Sequence, residues 1–457
     1  MKNHSSSDLG GDYTLTPVPA AKRRHWFDIA LVWMGMNICP PTLLLGVWLM
    51  RYQSFIGVNI AIICGLVFLA VFSIMQGIIG TRTGLATYPL SRLAFGDFGS
   101  RLFSLVMFLT LIGWFGIMTE SMVATFYTQI FPAAGIEIGN HMKAPISFLF
   151  GMAITGICFF GFQAIAWLNR ITIPGLVFLA FFALLQVLRR PDLIDRVVTW
   201  QPSETPVSIY TAMIWFVGSL IVAAVTAPDF NRYCRQPRDT IYSVLLGNVP
   251  VVYFLTVMGM VFAILSGAAD GQNSMEAADL ASVFATQGWN LGPLPGSIIA
   301  VLILVGAIIT TNVVNLYPGA MALVIVIKGA GKYWKYLEDR AVLTIFVGIL
   351  GSLAAAAGVL TRFTDFLEML THFTAPLIGI MSTDYFILKN RDRIKGLINI
   401  SAVLTWLLFS VAAMLQILPG GGLTAVFYAG LVYYGLEKTL GKKLHAGQTD
   451  KPLPLKA

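Results

Sequence analysis

Two adjacent hydroxyls and an amide, Thr310-Thr311-Asn312, sit in the middle of a long apolar stretch. Unpaired polar groups in such surroundings cost on the order of a few kcal/mol, so these three need partners. Ala307, Thr310 and Thr311 stand at i, i+3 and i+4, which is one helical face. The 307 carbonyl and the two hydroxyls therefore make half of an all-oxygen shell suited to a hard monovalent cation. Carbonyls freed at Gly35 and Ile38, just before Pro40-Pro41, complete the shell in this reading. In the competing reading both hydroxyls bond back to carbonyls of their own helix. The residues alone leave the two open.

Gly113-Trp114-Phe115-Gly116 sets two large aromatics between glycines. A planar ring laid against Trp114 gains stacking of roughly 1–3 kcal/mol, by analogy with bases on aromatic side chains. The flanking glycines admit a second helix or a ligand at short range. Ordinary packing or lipid contact explains the same residues, although an indole in mid-span must find an acceptor. Glu120 lies six residues further on and is the acid placed deepest in an apolar run. It can titrate, hold a cationic substrate, or pair with His372. Asp229, in Pro-Asp-Phe-Asn-Arg-Tyr, and Asp384, in Ser-Thr-Asp-Tyr-Phe, stand at the ends of apolar runs among basic residues. They read as interfacial ion pairs or gates.

The elements that carry these residues follow from composition. The chain has 457 residues, 57% of them hydrophobic and 11% charged, with a mean hydropathy of +0.77. Soluble domains carry about 25% charged residues, so no water-facing surface can be made from this sequence. Gly57–Gly80, Ala341–Leu360 and Asn399–Leu436 contain no charged side chain. About 20 apolar residues at 1.5 Å each cross a bilayer, and barrel strands would instead alternate over about ten residues. The reading is an all-α membrane protein with spans at 27–49, 55–80, 102–130, 145–163, 171–188 and 207–228, then 241–267, 292–326, 341–360, 366–387, 396–417 and 422–437.

With the N-terminus inside, 24 of the 30 Lys and Arg fall in cytoplasmic segments and six outside: Arg51, Lys143, Arg189, Arg190, Arg196 and Arg362. That asymmetry obeys the positive-inside rule and puts both termini in the cytoplasm, with the inner membrane as the expected location. The net charge of +8 is then topology, with anionic headgroups as its partners and no nucleic-acid role. The polar first 25 residues predict no cleavable signal. Cys39, Cys64, Cys158 and Cys234 lack CxxC spacing, which argues against disulfides or zinc. No Walker A, GxSxG or HExxH motif occurs, so neither an ATP-driven pump nor a membrane enzyme is expected.

Residues 1–25 and 438–457 read as polar tails around one domain, 26–437. The long external loops fall at 189–206 and 268–291. Two spans carry matching interruptions: Gly35 to Pro41 in the first, and Gly218-Ser219 with Ala227-Pro-Asp-Phe230 in the sixth. Paired prolines remove donors and clash with the preceding turn. Broken helices at corresponding positions of two halves point to a transporter's central site, although a simple proline kink is the plainer account of the first. The halves are then inverted repeats, about 27–188 and 207–387, followed by two extra helices at 396–437.

These segments together resemble the nucleobase–cation symporter (purine/cytosine permease) family, in its cytosine-permease branch. The resemblance runs from about 17 to 437. It rests on Thr16-Pro-Val-Pro, Gly80-Thr-Arg-Thr-Gly-Leu-Ala-Thr, Leu93-Ala-Phe-Gly96, Ile112-Gly-Trp-Phe-Gly116, Gly218-Ser219, Ala227-x-Asp-Phe, Thr310-Thr-Asn312, Leu316-Tyr317 and Asp384-Tyr385. It implies a LeuT-like 5+5 inverted repeat with broken helices 1 and 6. It implies import of a small planar nitrogen heterocycle by cation symport, with Na⁺ or H⁺ as coupling ion, no cofactor, and a monomeric protein. By the same resemblance Trp114 walls the substrate site, Ser219, Asn312 and Met118 contact the ring, and Cys39 lines the unwound part of span 1. The sodium ligands implied are Gly35, Ile38, Ala307, Thr310 and Thr311, the shell that spacing also suggests. Three positions depart from the family. Leu220 replaces the second stacking aromatic, Val222 replaces a polar residue, and Glu120 stands where an apolar residue is usual. The altered pocket opens the substrate to purines, hydroxymethylpyrimidine, creatinine-like and hydantoin-like rings as well as cytosine.

The charge map generates a direct test. In a Cys-free variant, a cysteine at Ser274 is expected to react with an impermeant maleimide in intact cells, and one at Asn390 only after lysis. Labelling of both from outside would remove the twelve-span map.

Overall fold

The computed structural model describes residues 16–159, 162–189, 191–202, 204–266, 293–327, 340–391, 393–441 and 451–452. The loop 268–291, residues 1–15 and most of the C-terminal tail lie outside the described residues. The apolar runs become helices, entered and left where side chains can satisfy terminal amides. Ser54, Ser208 and Asn399 each accept a backbone N–H of the first turn that follows, and Gly84 ends its helix with φ +73°.

In chain order the principal helices are α1 (Trp26–Asn37), α2 (Pro40–Tyr52), α3 (Phe55–Thr83), α4 (Thr87–Thr125), α5 (Lys143–Phe159), α6 (Phe162–Leu188), α7 (Ile209–Val225) and α8 (Ala227–Asn231). They continue with α9 (Pro237–Ser243), α10 (Val249–Ser266), α11 (Pro293–Ile327), α12 (Arg340–Ala356), α13 (Phe363–Ser382), α14 (Ile400–Met414) and α15 (Gly421–Thr439). A helix stands at every one of the predicted spans. Among the described residues, four helices are long and apolar enough to cross a membrane alone. Two bent pairs do so together, α1 with α2 at 56° and α12 with α13 at 76°.

Two expectations need correction. α7 runs unbroken through Gly218 and Ser219, and the irregular residue of span 6 is Thr226, at φ −88°, ψ 6°. Gly218 is small for another reason: a Cβ there would stand 2.1 Å from the Leu367 carbonyl, so it lets α7 touch α13. The second correction concerns span 3, whose helix begins at Thr87. Gly96 (φ +80°) divides it, and a side chain at 96 would meet the Lys395 and Leu397 carbonyls at 2.8 and 2.9 Å.

The helix pairs carry the symmetry. α2 packs on α10 and α3 on α7, so span 1 meets span 7 and span 2 meets span 6. Exchanging each span with the one five later turns the first pair into the second. α4 with α11 and α5 with α12 map onto themselves, and α4 with α13 maps onto α11 with α6. These contacts are those of an inverted 5+5 repeat. α14 and α15 pack together and onto α13, outside the exchange.

A buried polar knot ties that extra pair to the bundle. The Lys395 ammonium donates to Asp384 at 2.7 Å, Glu437 at 2.8 Å and the Tyr433 hydroxyl at 2.8 Å. Tyr433 donates to Asp384 at 2.7 Å, while Asn390 and Asn399 reach the Leu93 and Ala94 carbonyls. Burial alone would lower the Lys395 ammonium, but the Asp384 and Glu437 charges outweigh it and hold lysine above its usual range.

The tightest helix contacts are made by glycine. A Cβ at Gly259 would lie 1.9 Å from the Leu43 carbonyl, whereas one at Gly435 meets nothing within 4 Å. Gly259→Ala is therefore expected to lower the melting temperature, with overpacking of about 1–3 kcal/mol. Gly435→Ala should be neutral or slightly stabilising, since alanine favours a helix by about 0.5–1 kcal/mol. Equal melting of the two variants in detergent would contradict this packing.

Candidate functional site

Span 1 breaks between Asn37 and Pro40, where Ile38 has ψ 75° and Cys39 is extended at φ −144°. Pro40 and Pro41 begin the second half at its first helical positions, where a missing N–H costs nothing. Cys39 N–H turns to the Asn37 carbonyl at 2.9 Å and Thr42 N–H to the Cys39 carbonyl at 3.2 Å. A continuous helix would aim those donors at Gly35 and Ile38. Both carbonyls are thus released from the helical ladder, and no atom of another described element lies within 4 Å of where a Cβ on Gly35 would be.

Side chains hold the break. Thr42 Oγ1 donates to the Asn37 carbonyl at 2.9 Å. The Asn37 amide donates to the Trp33 carbonyl at 2.7 Å and to Asn248 Oδ1 at 2.9 Å. Cys39 Sγ lies 3.4 Å from Thr42 Oγ1. Asn37, Thr42 and Asn248 were not singled out from sequence. An asparagine two residues before a Cys-Pro-Pro break, inside an apolar run, was the available signal.

Trp114 is buried on α4. Phe363 and Phe366 of α13 meet it edge-on, with ring centroids at 6.0 and 5.6 Å and interplanar angles of 75° and 83°. Gly113 makes room, since a Cβ there would collide with Phe366 at 2.3 Å. Met118, one turn on, is 1% exposed. Asn312 on α11 is fully buried, and its amide bridges to α4 through Thr119 Oγ1 at 2.9 Å and the Phe115 carbonyl at 3.3 Å.

Thr310 and Thr311 both donate to the Ala307 carbonyl, at 2.9 and 2.8 Å, which gathers three oxygens on one face of α11. This is the back-bonded arrangement, and it leaves the hydroxyl lone pairs available to a cation. Ser219 donates to the Phe216 carbonyl at 2.7 Å. Leu220 lines a cavity of about 10 Å³, roughly one water, with Asn37, Leu66, Leu69, Ser73, Ala223, Asn248 and Val252. Trp114 is not part of that lining. Leu220 thus lies beside the broken segment of span 1.

The acids take distinct places. Glu120 is 3% exposed, and its Oε2 accepts the Leu360 N–H at 2.7 Å. Glu368 accepts the Trp215 indole N–H at 2.8 Å. Glu368 was missed from sequence because it sits at the edge of its apolar run. Asp229 accepts the Thr87 N–H at 2.7 Å, at the start of α4. Asp384 pairs with Lys395 rather than with the nearer basic residues in sequence.

Exchange-related helix pairs with a broken first span define a membrane transporter, and solved structures of that class superpose on the chain. The inward-facing conformation of Mhp1 matches with a TM-score of 0.76 at 19% identity, covering 94% of this chain and 93% of that one. Mhp1 closed around bromovinylhydantoin, a nucleobase-cation-symport-1 family transporter, matches at 0.68 and 18%, covering 97% of each. The cytosine permease of Escherichia coli strain K12 is 26% identical over 444 residues, 96% of this chain and 97% of its own. Residues 17–421 match the family of permeases for cytosine/purines, uracil, thiamine and allantoin, and the chain belongs to that family. It is a multi-pass membrane transporter and not an enzyme.

Proposed function

We propose that the chain imports a small planar nitrogen heterocycle, cytosine, a purine or a related nucleobase-like compound, by cation symport with alternating access. Na⁺ is the favoured coupling ion. The observation that carries this reading is the release of the Gly35 and Ile38 carbonyls at the break of span 1. Hard cations take oxygen ligands, and an unwound carbonyl in a transporter supplies them without desolvation cost to the helix. Ala307, Thr310 and Thr311 offer the other oxygens. One charge entering down 100 mV contributes about 2.3 kcal/mol, roughly fifty-fold accumulation before any ion gradient is added.

Trp114 supplies the flat wall, with Ser219, Asn312, Met118 and Cys39 around the ring. Leu220 can touch a ring but cannot stack on it, which favours a bulkier or less planar solute than a two-aromatic sandwich would accept. That supports a hydantoin-, hydroxymethylpyrimidine- or creatinine-like ring as the second reading. The protein works as a monomer in the inner membrane, with twelve spans and both termini cytoplasmic. A passive facilitator would differ in one respect: its uptake stops at equal concentrations.

The test is a thermal-shift screen of the purified protein against nucleobases and related rings, with and without Na⁺, followed by uptake. A ligand stabilises the state that binds it. Trp114→Ala is expected to abolish the ring-induced shift and Trp114→Phe to keep part of it, because stacking on the indole is worth about 1–3 kcal/mol. Thr311→Ala should weaken the Na⁺ dependence more than it weakens ring binding at saturating Na⁺. Unchanged ring affinity in Trp114→Ala removes the stacking model. Uptake indifferent to Na⁺ but abolished by a protonophore removes the sodium assignment in favour of H⁺.

A further inference from the structure

Glu120 is a buried carboxylate that neither the ring wall nor the oxygen shell uses. Six residues at about 100° each place it roughly 120° around α4 from Trp114. It shares its face with Gly116, one turn earlier. A Cβ on Gly116 would lie 3.0 Å from Ala354 and 3.1 Å from Val359, so this face of α4 meets the end of α12 and the turn that follows. The turn is a single 3₁₀ segment, Val359–Arg362, entered through Gly358 at φ +77°, a conformation that glycine adopts at little cost. Glu120 Oε2 accepts the Leu360 N–H at 2.7 Å, and Oε1 is 3.8 Å from where a Cβ on Gly358 would lie. Three residues after Leu360 comes Phe363, whose ring stands 6.0 Å from that of Trp114.

We propose that Glu120 is a positioning residue that clasps the Gly358–Arg362 turn to α4 and thereby fixes Phe363 edge-on against Trp114. A hydrogen bond in dry surroundings is stronger than the same bond in water, and this one ties the turn to the facing helix. The carboxylate acts through Leu360 and Phe363, without touching the transported ring. The inference deepens the ring-binding reading of Trp114 and rests on it for its effect on affinity, but the clasp itself can be measured without any substrate.

The experiment uses the full chain with its native cysteines replaced and a single cysteine at Val359, whose side chain packs on Gly116. The purified protein is labelled with a maleimide, and binding of cytosine and of hydantoin is measured on the same Glu120 variants made with the native cysteines, Cys39 included, in place. Glu120→Ala is expected to raise the labelling rate about fivefold or more, the scale of losing one hydrogen bond, and to weaken ring binding in parallel. Glu120→Gln keeps a carbonyl oxygen to accept the Leu360 N–H and should restore both to near the parent values. Unchanged labelling in Glu120→Ala overturns the clasp. So does a Glu120→Gln variant that labels like the parent yet has lost ring binding, because the charge and not the clasp is then what matters. If Glu120→Ala does not fold, the glutamine variant decides on those same two readouts. Labelling that follows the clasp while no ring binds the parent would retain the clasp and reject the ring-binding reading.

Discussion

Inside a bilayer no water is at hand for a stray amide or carbonyl, so each departure from the helical ladder must be matched by a partner that the protein supplies. The break between Asn37 and Pro40 is where this constraint bears hardest. Proline removes two donors, Cys39 and Thr42 turn theirs away, and Thr42, Asn37 and Asn248 close part of the gap. The Gly35 and Ile38 carbonyls are what the closure leaves over. Two carbonyls open to a ligand are thus the remainder of an incomplete repair, set at the place where the two halves of span 1 diverge by 56°.

The rest of the bundle serves to hold that remainder in place. α2 is fixed by its contact with α10, where Gly46 and Gly259 bring backbone against backbone. α11 is fixed to α4 through Asn312, whose amide bonds both a carbonyl and a hydroxyl of the facing helix. Trp114 and the threonine hydroxyls therefore belong to one helix pair. The broken span belongs to another, and the exchange symmetry of the repeats relates α2–α10 to α3–α7.

Much of this was legible in the residues. Apolar runs placed a helix at each span, although the helices of spans 3 and 5 begin at Thr87 and Phe162, well before 102 and 171. Pro40-Pro41 located the break for the plain reason that proline has no N–H. Gly218-Ser219 misled because smallness has two uses. There it serves the approach of α7 to the Leu367 carbonyl, and local sequence does not separate a helix contact from an unwound turn. Glu120 and His372 invited pairing as the acid and the base of two apolar runs, and Glu120 accepts the Leu360 N–H as well, a partner no local pattern announces. Which face a mid-span residue presents depends on helix rotation, which an apolar run with almost no amphipathic pattern leaves unspecified. The orientation of Leu220 toward Asn37 and Asn248 was hidden for the same reason.

The knot around Lys395 bears on how the chain is made. Asp384 and Lys395 emerge from the ribosome before Tyr433 and Glu437, which complete their bonding. Until the final helix has inserted, a carboxylate that ends up 1% exposed lacks part of its hydrogen bonding. Leu93 and Ala94, made far earlier, likewise wait for Asn390 and Asn399 to cap their carbonyls. Biogenesis of the bundle is consequently finished from its C-terminal end, and a chain stopped before the last helix would leave that defect open.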